Sequence, residues 1–265
     1  MPSTYAHRRF GANVLEHLPD ELRAQLEQNR ELYDIGLHGP DLLFYYKALQ
    51  SNHVSRLGGA MHEQPGAVFF ERARGVIRKA KNKDAALVYA LGFICHFALD
   101  STCHPYVEQF TRESGVTHCE IETEFDNMLL RRDGHDPMHY LTASHIQPSR
   151  IWANVVAPFY EGISVDEAYQ AMTGMVFVHK MLLASNPAKR WVVLSAMRLA
   201  GKWEFMHGLV ANPKPNPDCA ESGCGLDALY QKAIPLAVRL ITEYVDGLST
   251  DAPLDAAYQH TFGEN

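Results

Sequence analysis

Residues 87–122 read LVYALGFICHFALDSTCHPYVEQFTRESGVTHCEIE. The first half is nearly all apolar, yet it carries His96 and Asp100, four residues apart. The second half ends in His118 and Glu122, again four apart. On a helix, side chains at that spacing lie one above the other on the same face. Each pair therefore offers a nitrogen and an oxygen to one small volume, which is what zinc takes. Leu91, Phe93, Ile94, Phe97, Ala98 and Leu99 surround the first pair and mark a buried helix. A buried, unpaired carboxylate costs on the order of several kcal/mol. A cation thus belongs beside Asp100, and a metal ion meets that need. HxxxD on one helix, His104 at its end and HxxxE on the next form a set that packing alone does not explain, and they point to zinc.

Working outward, helical periodicity dominates. Toward the N-terminus, Phe10, Val14, Leu15 and Leu18 form one stripe of a helix over 6–18. Pro19 ends it, and Asp20 can cap a second helix with Leu22, Leu26 and Leu32. DIGLHGPDLLFYY (34–46) reads as a turn leading into a helix over 41–49. Residues 51–64 read as a loop that delivers His62 near a helix start. Residues 67–80 are amphipathic, with Val68, Phe69, Ala73, Val76 and Ile77 inward and Arg72, Arg74, Arg78 and Lys79 solvated. Asp84 is a candidate cap for the helix of His96, and Pro105 a candidate end. Beyond His118, Phe125, Met128 and Leu129 mark a core side. Residues 131–150 are loop-like; helical patterns follow near 150–162, 166–184 and 187–208, then a Pro/Gly/Asn-rich loop over 211–225 and a last helix over 226–248. Strand-like alternation is almost absent, so the expected fold is an all-α, single-domain multi-helix bundle over 1–265, with the chemistry in 1–130.

Composition sets limits. Hydrophobic residues make up 46 % and charged residues 21 % of the chain, which suits one globular domain. The net charge of −7 leaves no broad basic surface, so long nucleic acid is not an expected partner. MPSTYAHRRFG has no apolar segment after its charges, and the apolar run over 85–99 is too short to span a bilayer. The expected location is cytoplasmic, with no membrane span. Five cysteines, an odd number without framework spacing, suit reduced thiols. The unusual entry is 14 histidines, an excess that metal binding uses.

At TYAH (4–7), GPD (39–41), His62, HFALDSTCHP (96–105) and HCEIE (118–122), the chain resembles the zinc-dependent phospholipase C family, related to the S1 and P1 nucleases. The resemblance implies a helical bundle holding two or three zinc ions. One would take Asp41, His62, His96 and Asp100; a second His104, His118 and Glu122; a third His7, with Asp100 bridging to the first. It implies a zinc-dependent phosphoric ester hydrolase of phospholipase C type, in which a metal-activated water attacks phosphorus, with Asp41 as the candidate base. The implied substrate is a phosphate ester such as a phospholipid. A nuclease-like or nucleotide phosphohydrolase activity and a non-catalytic metal-binding role are the alternatives. Two departures stand out: His104 follows Asp100 by only four residues, and the amino-terminal tryptophan of the secreted enzymes is absent. Asp34, His38 or water are then alternative donors to the third metal.

Several other residues have two readings. His38 suits a ligand, a phosphate contact or a turn. Cys103 lies one turn beyond Asp100. Cys219 and Cys224 fit free thiols or a small separate site, and Asp126 a partner of the centre or a solvated face. Phe44, Tyr45 and Tyr46 fit the core or a headgroup pocket. His135, His139 and His145, in a polar stretch, are expected at the surface.

Overall fold

The structure is a computed structural model and describes residues 3–250 and 252–263. It is all-α: twelve helices and no strand among the described residues. In chain order the helices are α1 (Thr4–His17), α2 (Asp20–Gln28), α3 (Arg30–Gly36), α4 (His53–His62), α5 (Gly66–Lys79), α6 (Lys83–Ser114), α7 (His118–Arg132), α8 (Arg150–Val156), α9 (Val165–Leu182), α10 (Pro187–Leu199), α11 (Trp203–Met206) and α12 (Ala220–Thr250). A 3-10 helix, Gly39–Tyr45, joins α3 to α4.

The apolar stretch of the opening sequence becomes α6, the central helix. It packs most extensively against α12 and α3, and also against α1, α5, α7 and α8. Every residue from Val88 to Asp100 is buried. By length and composition α6 could cross a membrane, but 83 % of its apolar window is buried inside the protein. Its hydrophobicity is therefore spent on the core.

Pro105 does not end α6; the helix continues to Ser114 and stops at Gly115, which has φ +74°. A proline inside a helix removes one backbone bond and crowds the carbonyl four residues earlier. Just before it, the Ser101 and Thr102 hydroxyls donate to the Phe97 and Ala98 carbonyls, both at 2.7 Å. Such back-bonding bends helices, and a bend makes room for the ring.

Other boundaries also shift. Residues 53–62 are helical, not a loop. Asn52 and Ser55 form a capping box at the start of α4, so His62 sits on its last turn. Asn82, rather than Asp84, caps α6. The helix expected over 41–49 is only the 3-10 helix, and the last helix starts earlier, at Ala220. On α5, Val68 is exposed, whereas Arg74 is buried. The Arg74 guanidinium donates to the Ala252 carbonyl at 2.7 Å and lies over the Tyr244 ring. A long cationic side chain thus buries its stem and sets its head on a carbonyl and a ring, although Nε has no hydrogen bond.

One close crossing sets up the site. A Cβ on Gly36 would stand 2.3 Å from the Tyr89 carbonyl oxygen, and one on Gly92 2.3 Å from that of Tyr33. Two glycines therefore let the backbones of α3 and α6 touch. The chain leaving α3 is pressed onto α6 at the level of His96.

Candidate metal centre

Three groups of side chains converge around α6: His7 with His96 and Asp100; Asp41 with His62 and His96; His104 with His118 and Glu122. Within each group the candidate donor atoms lie within 4.8 Å of one another. All but the partly exposed His118 are buried.

Each donor arrives for a local reason. His96, Asp100 and His104 are successive positions on one face of α6, four residues apart. Thr117 caps α7, so His118 stands on its first turn and Glu122 one turn later. Gly39, with φ +45°, makes the turn that carries Asp41; a Cβ there would stand 2.3 Å from His96 Cδ2. Glycine thus allows both the backbone sign and the contact. His7 lies on the second turn of α1. That helix is tied down by Asp126 of α7, whose carboxylate accepts the backbone N–H of Tyr5 at 2.9 Å and of Ala6 at 2.8 Å. Asp126 is buried, not solvated; its two oxygens cap the N–H groups at the start of α1 from another helix, while burial pushes its carboxyl up to about 8.

The separations suit a metal. His7 Nε2 and His96 Nε2 lie 3.2 and 3.0 Å from the two Asp100 oxygens. His62 Nε2 is 3.1 Å from Asp41 Oδ1. Glu122 Oε1 is 3.2 Å from His104 Nε2 and 3.3 Å from His118 Nε2. A zinc tetrahedron with donors near 2.0–2.1 Å has edges of about 3.3 Å. Hydrogen bonding does not account for all of these contacts. Both ring nitrogens of His96, His7 Nδ1 and Asp100 Oδ2 are buried without a hydrogen bond of acceptable geometry. Native proteins rarely leave buried polar atoms so.

The far side of several rings is anchored. His62 Nδ1 meets the Gly58 carbonyl at 2.8 Å, His104 Nδ1 the Phe262 carbonyl at 2.8 Å, and His118 Nδ1 Glu108 at 2.9 Å. Fixing Nδ1 presents Nε2 to the centre, as outer partners of ligating histidines do. A cavity of about 20 Å³, room for one water-sized body, lies among Asp100, Cys103, His104 and Glu122. Burial opposes the Asp100 charge, yet the imidazoles of His104, His96 and His7 hold it well below the usual carboxylate range. Burial likewise opposes a charge on His104, but Asp100 and Glu122 push it up to about 9. The pocket is built for balanced opposite charges, and these residues fit a metal.

The remaining candidates lie outside the groups. Asp34 pairs with Arg30 at 2.7 Å. His38 is buried and meets His145, Nε2 to Nε2, at 2.7 Å. His145 is therefore not a surface residue; the polar stretch around it folds back onto the 3-10 turn. Cys103 is buried, and burial pushes its thiol up. Cys219 is buried at the end of a 3-10 turn and Cys224 exposed on α12; both are free thiols. Tyr46 is in the core with Lys47 over its ring. Phe44 stands 5.6 Å from the His62 ring, centroid to centroid. With Tyr45, Thr123 and Asp126, it also lines a cavity of about 730 Å³ whose other walls are largely aliphatic. None of the eight donors lines that cavity; Phe44, beside the His62 ring, and Thr123 and Asp126 of α7 stand between it and the centre's residues in sequence and packing. Of the cavity's walls, sequence reading offered only Phe44 and Tyr45 as pocket residues, and it missed the anchors at Gly58, Glu108 and Phe262.

An all-helical core around clustered imidazoles and carboxylates defines a helical protein of metal-binding type. The model of the zinc-dependent phospholipase C family matches residues 6–169, and the chain belongs to that family. The matched stretch contains all eight grouped residues. No curated protein and no solved structure matches the chain.

Proposed function

We propose that the protein is a zinc-dependent phosphodiester hydrolase acting on phospholipids or closely similar esters. The observation that carries this is the convergence of three donor groups with separations of 3.0–3.3 Å, in which the rings of His62, His104 and His118 are anchored through Nδ1. In this reading one zinc would be held by Asp41, His62, His96 and Asp100, a second by His104, His118 and Glu122, and a third by His7 with Asp100. Bound zinc would supply Lewis acidity, making water a nucleophile at neutral pH and neutralising phosphoryl charge.

The chain's own groups do the rest. Asp100 offers one oxygen to each of two neighbouring sites, as the separate approaches of His7 and His96 indicate. Asp41, which faces His62 at 3.1 Å, is the residue we assign as acceptor of a proton from the attacking water. Gly39 and Asp126 hold Asp41 and His7 in register. The aliphatic cavity behind Phe44 suits the apolar part of an ester better than a nucleobase, because only a few aromatic rings line it.

Metal analysis of the purified chain, followed by a panel of p-nitrophenyl phosphocholine, bis-p-nitrophenyl phosphate, single-stranded DNA and phosphomonoesters, tests the reading. Zinc bound with turnover of the diesters supports it. Full zinc with no turnover on any compound defines a metal-binding protein instead, and turnover of DNA alone a nuclease.

A further inference from the structure

The segment from the end of α9 through α10 lies beyond the family match and has an unusual surface. Helix α10 buries Met197 and packs Val193 and Leu194 into a small second core with Ala184 and Val210. Its opposite side should be polar in an ordinary surface helix. Instead Ala188, Trp191, Val192, Ser195 and Leu199, at helical spacing, form an uncharged outward stripe. Trp191 is 71 %, Val192 57 % and Leu199 90 % exposed. On α9, Phe177 and Met181, four residues apart, are exposed as well. Among the described residues, five of the eight exposed large apolar side chains therefore fall within one short stretch.

The charge of the stretch is equally one-sided. Residues 177–202 contain Lys180, Lys189, Arg190, Arg198 and Lys202 and no acidic residue, in a chain of net charge −7. The stretch is also well built. Lys189 Nζ donates to the carbonyls of Lys180 and Leu183, Arg190 to Asn212, and Arg198 lies over the Trp203 ring at 3.9 Å. It borders the large cavity, which Leu182, Leu183, Ala200 and Lys202 line together with the exposed Leu49.

We propose that the outward face of α10, with the end of α9, is a docking surface for an anionic lipid bilayer. Tryptophan and phenylalanine favour the boundary between headgroups and acyl chains. Helices that lie in that boundary pair an apolar face with flanking lysine and arginine. Local positive charge in an otherwise acidic chain selects anionic lipid and orients the protein. The large cavity, sharing this segment, is then set beside the lipid. The proposal does not depend on turnover: the face would bind a bilayer whether or not the centre cleaves its lipids.

The test is vesicle sedimentation of the zinc-loaded full chain, with vesicles of phosphatidylcholine alone or mixed with phosphatidylserine. The expected result is binding to the mixed vesicles, weaker binding to the neutral ones, and weakening by salt. The double variant Trp191→Ser/Leu199→Ser removes two exposed side chains, so folding and zinc content should be unchanged. Its partitioning should fall at least about tenfold. The variant Lys180→Glu/Lys202→Glu should lose the preference for phosphatidylserine. Absence of binding to the mixed vesicles, or undiminished binding of the Trp191/Leu199 variant, overturns the proposal. So does self-association abolished by that variant in a chain that ignores vesicles, since a second copy would then cover the face.

Discussion

Replacing Asp100 by asparagine changes one atom in shape and one unit of charge in a fully enclosed site. Asp100 stands 3.2 Å from His7, 3.0 Å from His96 and 3.8 Å from His104. A charge pair about 3 Å apart is worth about 5 kcal/mol at an effective dielectric near 20. Losing the anion should therefore weaken the binding of a cation that it touches by roughly three to four orders of magnitude. Glu122 faces the imidazoles of His104 and His118, which belong to a single donor group, so Glu122→Gln is the matched control. Elemental analysis after dialysis against a weak chelator should show Asp100→Asn retaining fewer zinc ions per chain than Glu122→Gln. Circular dichroism should remain helical, because an asparagine carboxamide still fits among imidazoles. Full zinc in Asp100→Asn, at wild-type resistance to the chelator, would refute the shared-carboxylate argument.

Other changes test the supports. Asp126→Ala strands the backbone N–H groups of Tyr5 and Ala6 in a buried place; urea unfolding should show a loss of about 3 kcal/mol. Gly39→Ala forces a side chain into a positive-φ turn and against His96; hydrolysis and zinc retention should both fall, while a substitution of the open, exposed-side Gly59 should be neutral. Burial pushes His145 down to about 3 and His179 down to about 4, so the fold holds both neutral. Their stabilisation is complete above the ordinary histidine value near 6.5 and is lost as pH falls below it, by about 2 kcal/mol each at pH 5. His179→Gln should therefore lose less stability between pH 7 and pH 5 than the wild type in urea unfolding; an identical loss would contradict the neutral assignment.

The all-α class was legible because the 3.6-residue period is a local property. The pairs His96/Asp100 and His118/Glu122 were legible for the same reason: a four-residue step fixes a common face without knowledge of the rest of the chain. Long-range partners were not. The carbonyls of Gly58 and Phe262, which anchor His62 and His104, belong to backbone that every residue has. His145 sits in a polar stretch, and only tertiary pairing with His38 buries it. Two misreadings had signals that were available. Asn52 and Ser55 at capping-box spacing announce α4 despite the Gly58–Gly59 pair. Ser101 and Thr102, just ahead of Pro105, are residues able to bend a helix and let it continue.

The clustered donors also constrain how the molecule holds together. They come from α1, the 3-10 turn, α4, α6 and α7, and the tail at Phe262 closes over His104 and His62. The isolated central helix brings only His96, Asp100 and His104, too few to complete any of the three groups. A metal that binds only the assembled arrangement stabilises it by mass action. In the unliganded bundle the buried carboxylates at Asp41, Asp100 and Glu122 are balanced against burial by the imidazoles beside them, and bound cations would join the segments more firmly. The feature that looks least suited to a hydrophobic core, an aspartate in the middle of an apolar helix, becomes the point from which metal binding can draw distant parts of the chain together.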